Sequence, residues 1–338
     1  MTETLSSIAQ ALVAPGKGIL AADESSGTIK KRFDSIAIES TEDNRRAYRD
    51  MLFTTPGVEE FISGVILFDE TIRQSGLEGT AFPEVLKSRG IIPGIKVDAG
   101  TKPLAKAPNE LVTEGLDGLR ERLQDYYELG ARFTKWRAVI TIGEGIPSQY
   151  CLDVNAHALA RYAALSQESG LVPIVEPEVL MDGDHTVERC YQVTCDTLHT
   201  VFDELYAQRV RFEDMLLKPN MVVSGKGSKQ QADHKQVAEM TVSALRTSVP
   251  GAVPGIVFLS GGQSDEDATA HLNEMNKLGP HPWELSYSYG RALQAPSLKA
   301  WKGDPANVEA GQRAFYHRAK CNSAARTGAY SADMEQVA

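Results

Sequence analysis

The chain has 338 residues, 42% of them hydrophobic and 24% charged, with a net charge of −10. This is ordinary soluble globular composition, and the acidic balance excludes a general binder of nucleic acid or other polyanions. No apolar run reaches the ~18–20 residues of a membrane-spanning helix, and Glu3 precedes any Lys or Arg, so the sequence shows no secretory or transit signal. Cys151, Cys190, Cys195 and Cys321 follow no CxxC spacing and read as reduced thiols of a cytoplasmic protein.

Residues 1–17 predict a short helix with Leu5, Ile8, Ala9 and Leu12 on one face. Eight short apolar runs follow. They span Gly18 to Glu24, Gly64 to Glu70, Ile91 to Asp98, Phe133 to Ile140, Leu171 to Glu178, Met215 to Val222, Gly255 to Gly262 and Trp283 to Gly290. Such runs are what strands of a buried parallel sheet require. Helical spacing separates them: Leu116, Leu119, Leu123 and Tyr126 before Gly130, then Val154, Ala158, Tyr162 and Leu165 before Gly170. Val237, Thr241, Ala244 and Leu245 mark a further helix. Ser264 with Asp267 opens another that Gly279-Pro280 closes. Residues 303–326 predict a last polar helix, and residues 328–338 a mobile tail.

Eight strands alternating with helices predict an α/β fold, a (β/α)8 TIM barrel spanning residues 1–338 as one domain. A doubly wound open sheet is the alternative; it ranks second because no GxGxxG follows the first strand.

The chemistry of such a barrel sits at the C-terminal ends of its strands. Here those ends carry Asp23, Lys96 with Asp98, Lys135 with Arg137, Glu176 with Glu178, Lys218, Ser260 and, just past the last strand, Arg291. Alternation puts Lys135 and Arg137 on one face, and likewise Glu176 and Glu178. Packing does not account for charged or polar groups gathered on seven strands toward one mouth. Lys218 is followed by Pro219, which has no N–H and favours extended backbone before it, so pairing is expected to stop there. An inward Lys218 crowded by Lys135 would have its pKa lowered and could attack a ketone as a neutral amine. Glu176, Glu178 and Asp23 are candidates for proton transfer, although Glu178 could equally serve only to pair Lys135. Ser260-Gly261-Gly262 and Gly290-Arg291 resemble the phosphate site that barrels build after strands seven and eight. A Gly-Gly pair alone would mean only a tight turn. The seven histidines are scattered and no HxH or HExxH occurs, so no metal and no cofactor is expected.

These residues together resemble class I fructose-1,6-bisphosphate aldolase from about residue 5 to 325. The similarity rests on residues 14–25, Pro93 to Asp98, Lys135-Trp136-Arg137, Pro173 to Glu178, Leu217 to Val222, Leu259 to Gln263 and Ser288 to Gln294. The resemblance implies that Lys218 forms an imine, Glu176 shuttles protons, Asp23 takes the C4 hydroxyl proton, and Lys135 is the assisting cation. It implies a C1-phosphate site of Ser260, Gly261, Gly262, Ser288, Gly290 and Arg291, with Arg32 nearby. Ser25, Thr28, Lys31, Lys96 and Arg137 would serve the C6-phosphate or the sugar hydroxyls. It further implies a homotetramer acting on phosphorylated sugars in glycolysis and gluconeogenesis. Sedoheptulose 1,7-bisphosphate is the rival substrate, and a barrel kept only as a binding scaffold is the non-enzymatic rival. Animal members end in a tyrosine, whereas this chain ends Gln336-Val337-Ala338. Either Tyr330 takes that part or the enzyme does without it.

Overall fold

The computed structural model describes residues 4–336, and eight parallel strands in it close into a barrel. The strands are β1 (Gly18–Ala21), β2 (Ile62–Leu67), β3 (Ile92–Lys96), β4 (Phe133–Ile140), β5 (Val172–Val179), β6 (Leu216–Leu217), β7 (Gly255–Phe258) and β8 (Glu284–Tyr289). Each pairs with its neighbours in sequence order, and β8 closes on β1 with Ile19 opposite Ser288. The predicted runs and the observed strands coincide, with ends displaced by a few residues.

Alternation along each strand divides the barrel into an apolar floor and a charged mouth. Phe133 precedes Lys135 and Arg137 by one and two steps of that alternation. Val172 and Ile174 precede Glu176 and Glu178, Leu216 precedes Lys218, and Ile19 and Ala21 precede Asp23. The apolar members pack together in one cluster, which also contains Ile8, Ala9, Leu12 and Val13. The helix Leu5–Leu12 therefore stoppers the lower end, its buried face the predicted Ile8, Ala9 and Leu12. Gly94 has to be glycine here, because a Cβ would stand 2.3 Å from the Phe133 ring. Truncating the fully buried Phe133 to alanine would cost about 3–5 kcal/mol.

Two features depart from expectation. A small antiparallel pair, Thr101–Pro103 with Leu111–Thr113, follows β3. Three-residue strands carry too little periodicity to be read from sequence. The last long helix is Val308–Ala325, shorter at its start than predicted, because Asp304 caps a separate 3-10 turn at Pro305–Asn307. Beyond it Ala332–Gln336 form another 3-10 turn, and the Tyr330 amide donates to Asn273 Oδ1 at 3.0 Å. Of the predicted tail, residues 337–338 lie outside the described residues. Among the described residues no helix is long and apolar enough to cross a membrane.

Candidate active site

The ladder of β6 stops at Leu217, and Lys218 follows it. The Lys218 amide still donates to Val175 O at 2.8 Å. Pro219 has no N–H to continue the pairing, and its carbonyl accepts from Leu259 N, just past β7, at 3.1 Å. The backbone under Lys218 is thus fixed on both sides, and its side chain is buried.

A chain of charges, Glu176, Lys135 and the half-buried Asp23, runs outward from its amine. Lys218 Nζ lies 3.3 Å from Glu176 Oε1, and Glu176 Oε2 lies 3.1 Å from Lys135 Nζ. Lys135 Nζ in turn lies 2.6 Å from Asp23 Oδ2. Burial lowers the pKa of Lys218 and Lys135 adds to that, outweighing the pull of Glu176 and Asp23. At Lys135 burial pushes the same way, but Asp23, Glu176 and Asp98 together raise it well above the ordinary lysine range. Burial would raise both carboxyls. At Asp23 the cations Lys135, Lys218 and Lys96 overcome it, and at Glu176 Lys135, Lys218 and Arg137 do, so both are held below the usual carboxylate range. One lysine is biased toward the free amine while its neighbour stays a fixed cation between two carboxylates.

Charged pairs line the rest of the mouth. Lys96 Nζ is 2.9 Å from Asp98 Oδ1, and Asp98 Oδ2 accepts from the Arg137 amide at 3.3 Å. Glu178 bonds Arg137, not Lys135 as the sequence had left open. Register explains this: Lys135 stands opposite Ile174 and Arg137 opposite Glu176, so Glu178 lies beyond the reach of Lys135.

The residues expected to bind phosphate lie on and just past β7 and β8. Gly261 has φ +58°, a left-handed turn that glycine adopts freely. The Arg291 guanidinium donates to Gly261 O. Ser288 Oγ is buried with no partner, an orphan polar group that a ligand oxygen would satisfy. Gly290 stands at the N-terminus of the helix Arg291–Trp301, where backbone N–H groups favour an anion. Ser25 Oγ and Thr28 Oγ1 lie 3.2 Å apart at the start of the helix Ser26–Asp34.

All but two of the predicted residues line one cleft of about 400 Å³. The exceptions are Lys31, which is exposed on its helix, and Gly262, whose amide faces Met181 Sδ at 3.1 Å. Tyr330 is not among the lining residues either; its hydroxyl donates to Glu335 Oε1 at 2.9 Å. Sequence reasoning missed Glu24, which also lines the cleft. This buried carboxylate bonds Arg32, Arg49 at 2.5 Å and Gln294 Nε2 at 2.9 Å. Burial would raise its pKa, but Arg32 and Arg49 lower it further than that. Glu24 positions Arg32 at the cleft. The adjacent Asp23-Glu24 pair was the available signal, but nothing in the spacing linked it to Arg49.

A (β/α)8 barrel holding a desolvated amine beside a fixed cation and ionised carboxylates, with an anion pocket at strands seven and eight, suits an enzyme of imine chemistry on phosphorylated carbonyl compounds. The family model described as "Fructose-bisphosphate aldolase class-I" matches residues 4–338. A "Probable fructose-bisphosphate aldolase class 1" of Xanthomonas campestris pv. campestris is 61% identical over 327 residues, 96% of this chain and 98% of the relative. "Fructose-bisphosphate aldolase 4, cytosolic" of Arabidopsis thaliana is 54% identical over 95% of this chain and 82% of its own length. The solved structure of fructose-bisphosphate aldolase from Plasmodium falciparum, in complex with TRAP and a small molecule inhibitor, superimposes with a TM-score of 0.96. It is 50% identical and covers 97% of this chain and 95% of its own. The chain belongs to the class-I fructose-bisphosphate aldolase family.

Proposed function

We propose that Lys218 carries the imine through which this aldolase reversibly cleaves fructose 1,6-bisphosphate to dihydroxyacetone phosphate and glyceraldehyde 3-phosphate. The observation that carries the reading is the shared carboxylate. Glu176 touches both lysines, yet burial lowers Lys218 while carboxylates raise Lys135.

The steps follow from that asymmetry. The neutral Lys218 amine adds to the substrate C2 carbonyl. Glu176, ionised in the free enzyme, takes the proton that the nitrogen sheds and passes it to the C2 alkoxide; a second proton, taken from solvent through Glu176, leaves with that hydroxyl as water, and the iminium carries the positive charge. Lys135 stays charged beside the carbinolamine. Asp23, also ionised, takes the C4 hydroxyl proton, the C3–C4 bond breaks, and its electrons pass to the iminium to form an enamine. Glyceraldehyde 3-phosphate leaves; protonation at C3 and hydrolysis release dihydroxyacetone phosphate and the lysine. The iminium is the electron sink, so no step calls on a metal.

Ser288, Arg291 and the Gly261 turn take the C1 phosphate, with Arg32 held nearby by Glu24. Ser25, Thr28, Lys96 and Arg137 take the other end of the sugar. We assign Glu178 to holding Arg137 there. The site is tested by replacing Lys218 with Met, which should abolish turnover while leaving phosphate binding intact. We place the enzyme in the cytosol, supported by four buried unpaired cysteines and by the cytosolic Arabidopsis relative. We take it to be a homotetramer; light scattering should give about four times the 36.8 kDa chain mass, and a monodisperse monomer would refute it.

A further inference from the structure

Among the described residues, one group of three His, Cys and carboxylate side chains brings its donor atoms within 4.8 Å of one another. It consists of His317, Cys321 and Glu335, none of which lines the catalytic cleft. His317 and Cys321 stand one turn apart on the helix Val308–Ala325, and Glu335 comes from the 3-10 turn Ala332–Gln336. We propose that these three side chains bind a thiophilic divalent cation, Zn2+ foremost, that fastens the C-terminal segment to the last helix.

The spacing is the first argument. His317 Nε2 lies 3.6 Å from both Cys321 Sγ and Glu335 Oε2. An N···O distance of 3.6 Å is too long for a hydrogen bond. A tetrahedral zinc with bonds of about 2.0–2.3 Å holds its ligand atoms roughly 3.3–3.6 Å apart. The His317–Cys321 contact also fits a weak thiol hydrogen bond, and the spacing of all three groups fits ligands around a shared centre.

Orientation is the second. Glu335 Oε1 is occupied by the Arg318 guanidinium and by Tyr330 Oη at 2.9 Å, which leaves Oε2 facing His317. Carboxylate ligands of metals are characteristically steadied in this way by outer hydrogen bonds. Arg318 is itself anchored on Asp265 O at 2.9 Å and Thr269 Oγ1 at 2.6 Å.

The ligand set decides the metal. Hard cations such as Ca2+ or Mg2+ need several oxygens, and the one carboxylate here is shared with a guanidinium. Thiolate with imidazole selects Zn2+. Access comes from a cleft of about 930 Å³ lined by His317, Cys321 and Met334, which leaves the fourth position to water. Binding converts the Cys321 thiol to thiolate and releases one proton to solvent. The ion takes no part in the chemistry at Lys218. It joins Glu335 to the helix Val308–Ala325, whose Arg318 bonds Asp265 O at the start of the helix Asp265–Lys277.

The test titrates the full-length, chelator-stripped protein with Zn2+ against a chromophoric chelator, and separately with Co2+. One ion per chain is expected, with thiolate-to-cobalt charge-transfer absorption. Cys321→Ser, His317→Ala and Glu335→Gln should each weaken binding at least about tenfold, and Zn2+ should slow carboxypeptidase digestion of the wild-type tail. Glu335→Gln alters a partly exposed group, so it tests the site even if Cys321→Ser misfolds. No stoichiometric binding, binding unchanged by Glu335→Gln, or bound Co2+ without thiolate absorption would each overturn the proposal.

Discussion

Glu176 and Lys218 meet inside the barrel, Oε1 to Nζ at 3.3 Å, with both side chains almost wholly buried. The carboxylate raises the pKa of the amine even as burial and Lys135 lower it. Two consequences follow for Glu176→Gln. Turnover should fall about 10²–10⁴-fold for want of the proton shuttle. The residual acid limb of the rate profile should move to lower pH, because Lys218 loses the charge that favoured its protonated form. Rates measured across pH for both proteins check this, and a limb moving upward would contradict it.

Asp23 is fixed by Lys135 at 2.6 Å and held ionised by the surrounding cations. Asp23→Asn should separate two steps that the wild type joins. Cleavage of fructose 1,6-bisphosphate should drop by at least about 10²-fold. Imine formation with dihydroxyacetone phosphate should persist, because that product has no C4 hydroxyl to deprotonate. Mass spectrometry of the reduced adduct distinguishes this outcome from a general loss of the site.

Arg291 is exposed and bonded to Gly261 O, free to turn onto a phosphate. Arg291→Ala should remove a charged contact of about 1.5–3 kcal/mol, raising KM roughly ten- to a hundredfold. Fructose 1-phosphate should suffer as much as the bisphosphate. Loss confined to the bisphosphate would mean that Arg291 serves the C6 end.

A pH effect on stability is expected behind the Ser260–Gly262 turn. His271 Nδ1 lies 2.5 Å from Gln263 Oε1, and Gln263 Nε2 donates to Ser260 O at 3.1 Å. Burial, with a further push from His234, lowers the His271 pKa to about 4. Between about pH 6.5 and 4 the unfolded chain therefore binds a proton that the folded chain does not, so stability falls as pH falls through that window. The full loss is up to about 3 kcal/mol. Denaturation of wild type and His271→Gln at pH 7.5 and 5 should show a smaller acid loss in the variant; equal losses would exclude His271 as the cause.

The barrel was legible because the strands are short apolar runs, most of them carrying or ending in charge. Pro219 marks Lys218 in the sequence itself, since a missing N–H ends a ladder wherever it falls. The candidate catalytic set was legible because Asp23, Lys135, Glu176 and Lys218 each fall within or just past one of the apolar runs, where a charge stands out. Pairing was not. That Glu178 goes to Arg137 depends on strand register, and that Glu24 holds Arg32 depends on Arg49 and Gln294, which come from helices far apart in the chain. The three-residue hairpin strands after β3 and the grouping of His317, Cys321 and Glu335 likewise arise from tertiary placement, which periodicity does not encode.

The central claim is that Lys218 is the nucleophile. Borohydride reduction of the enzyme in the presence of dihydroxyacetone phosphate, followed by peptide mapping, tests it most directly. One adduct per chain should form, on Lys218 and not on Lys96 or Lys135. Activity should be lost with it, and EDTA should leave the untreated enzyme's turnover unchanged. An adduct on another lysine, or turnover abolished by EDTA, would contradict the account.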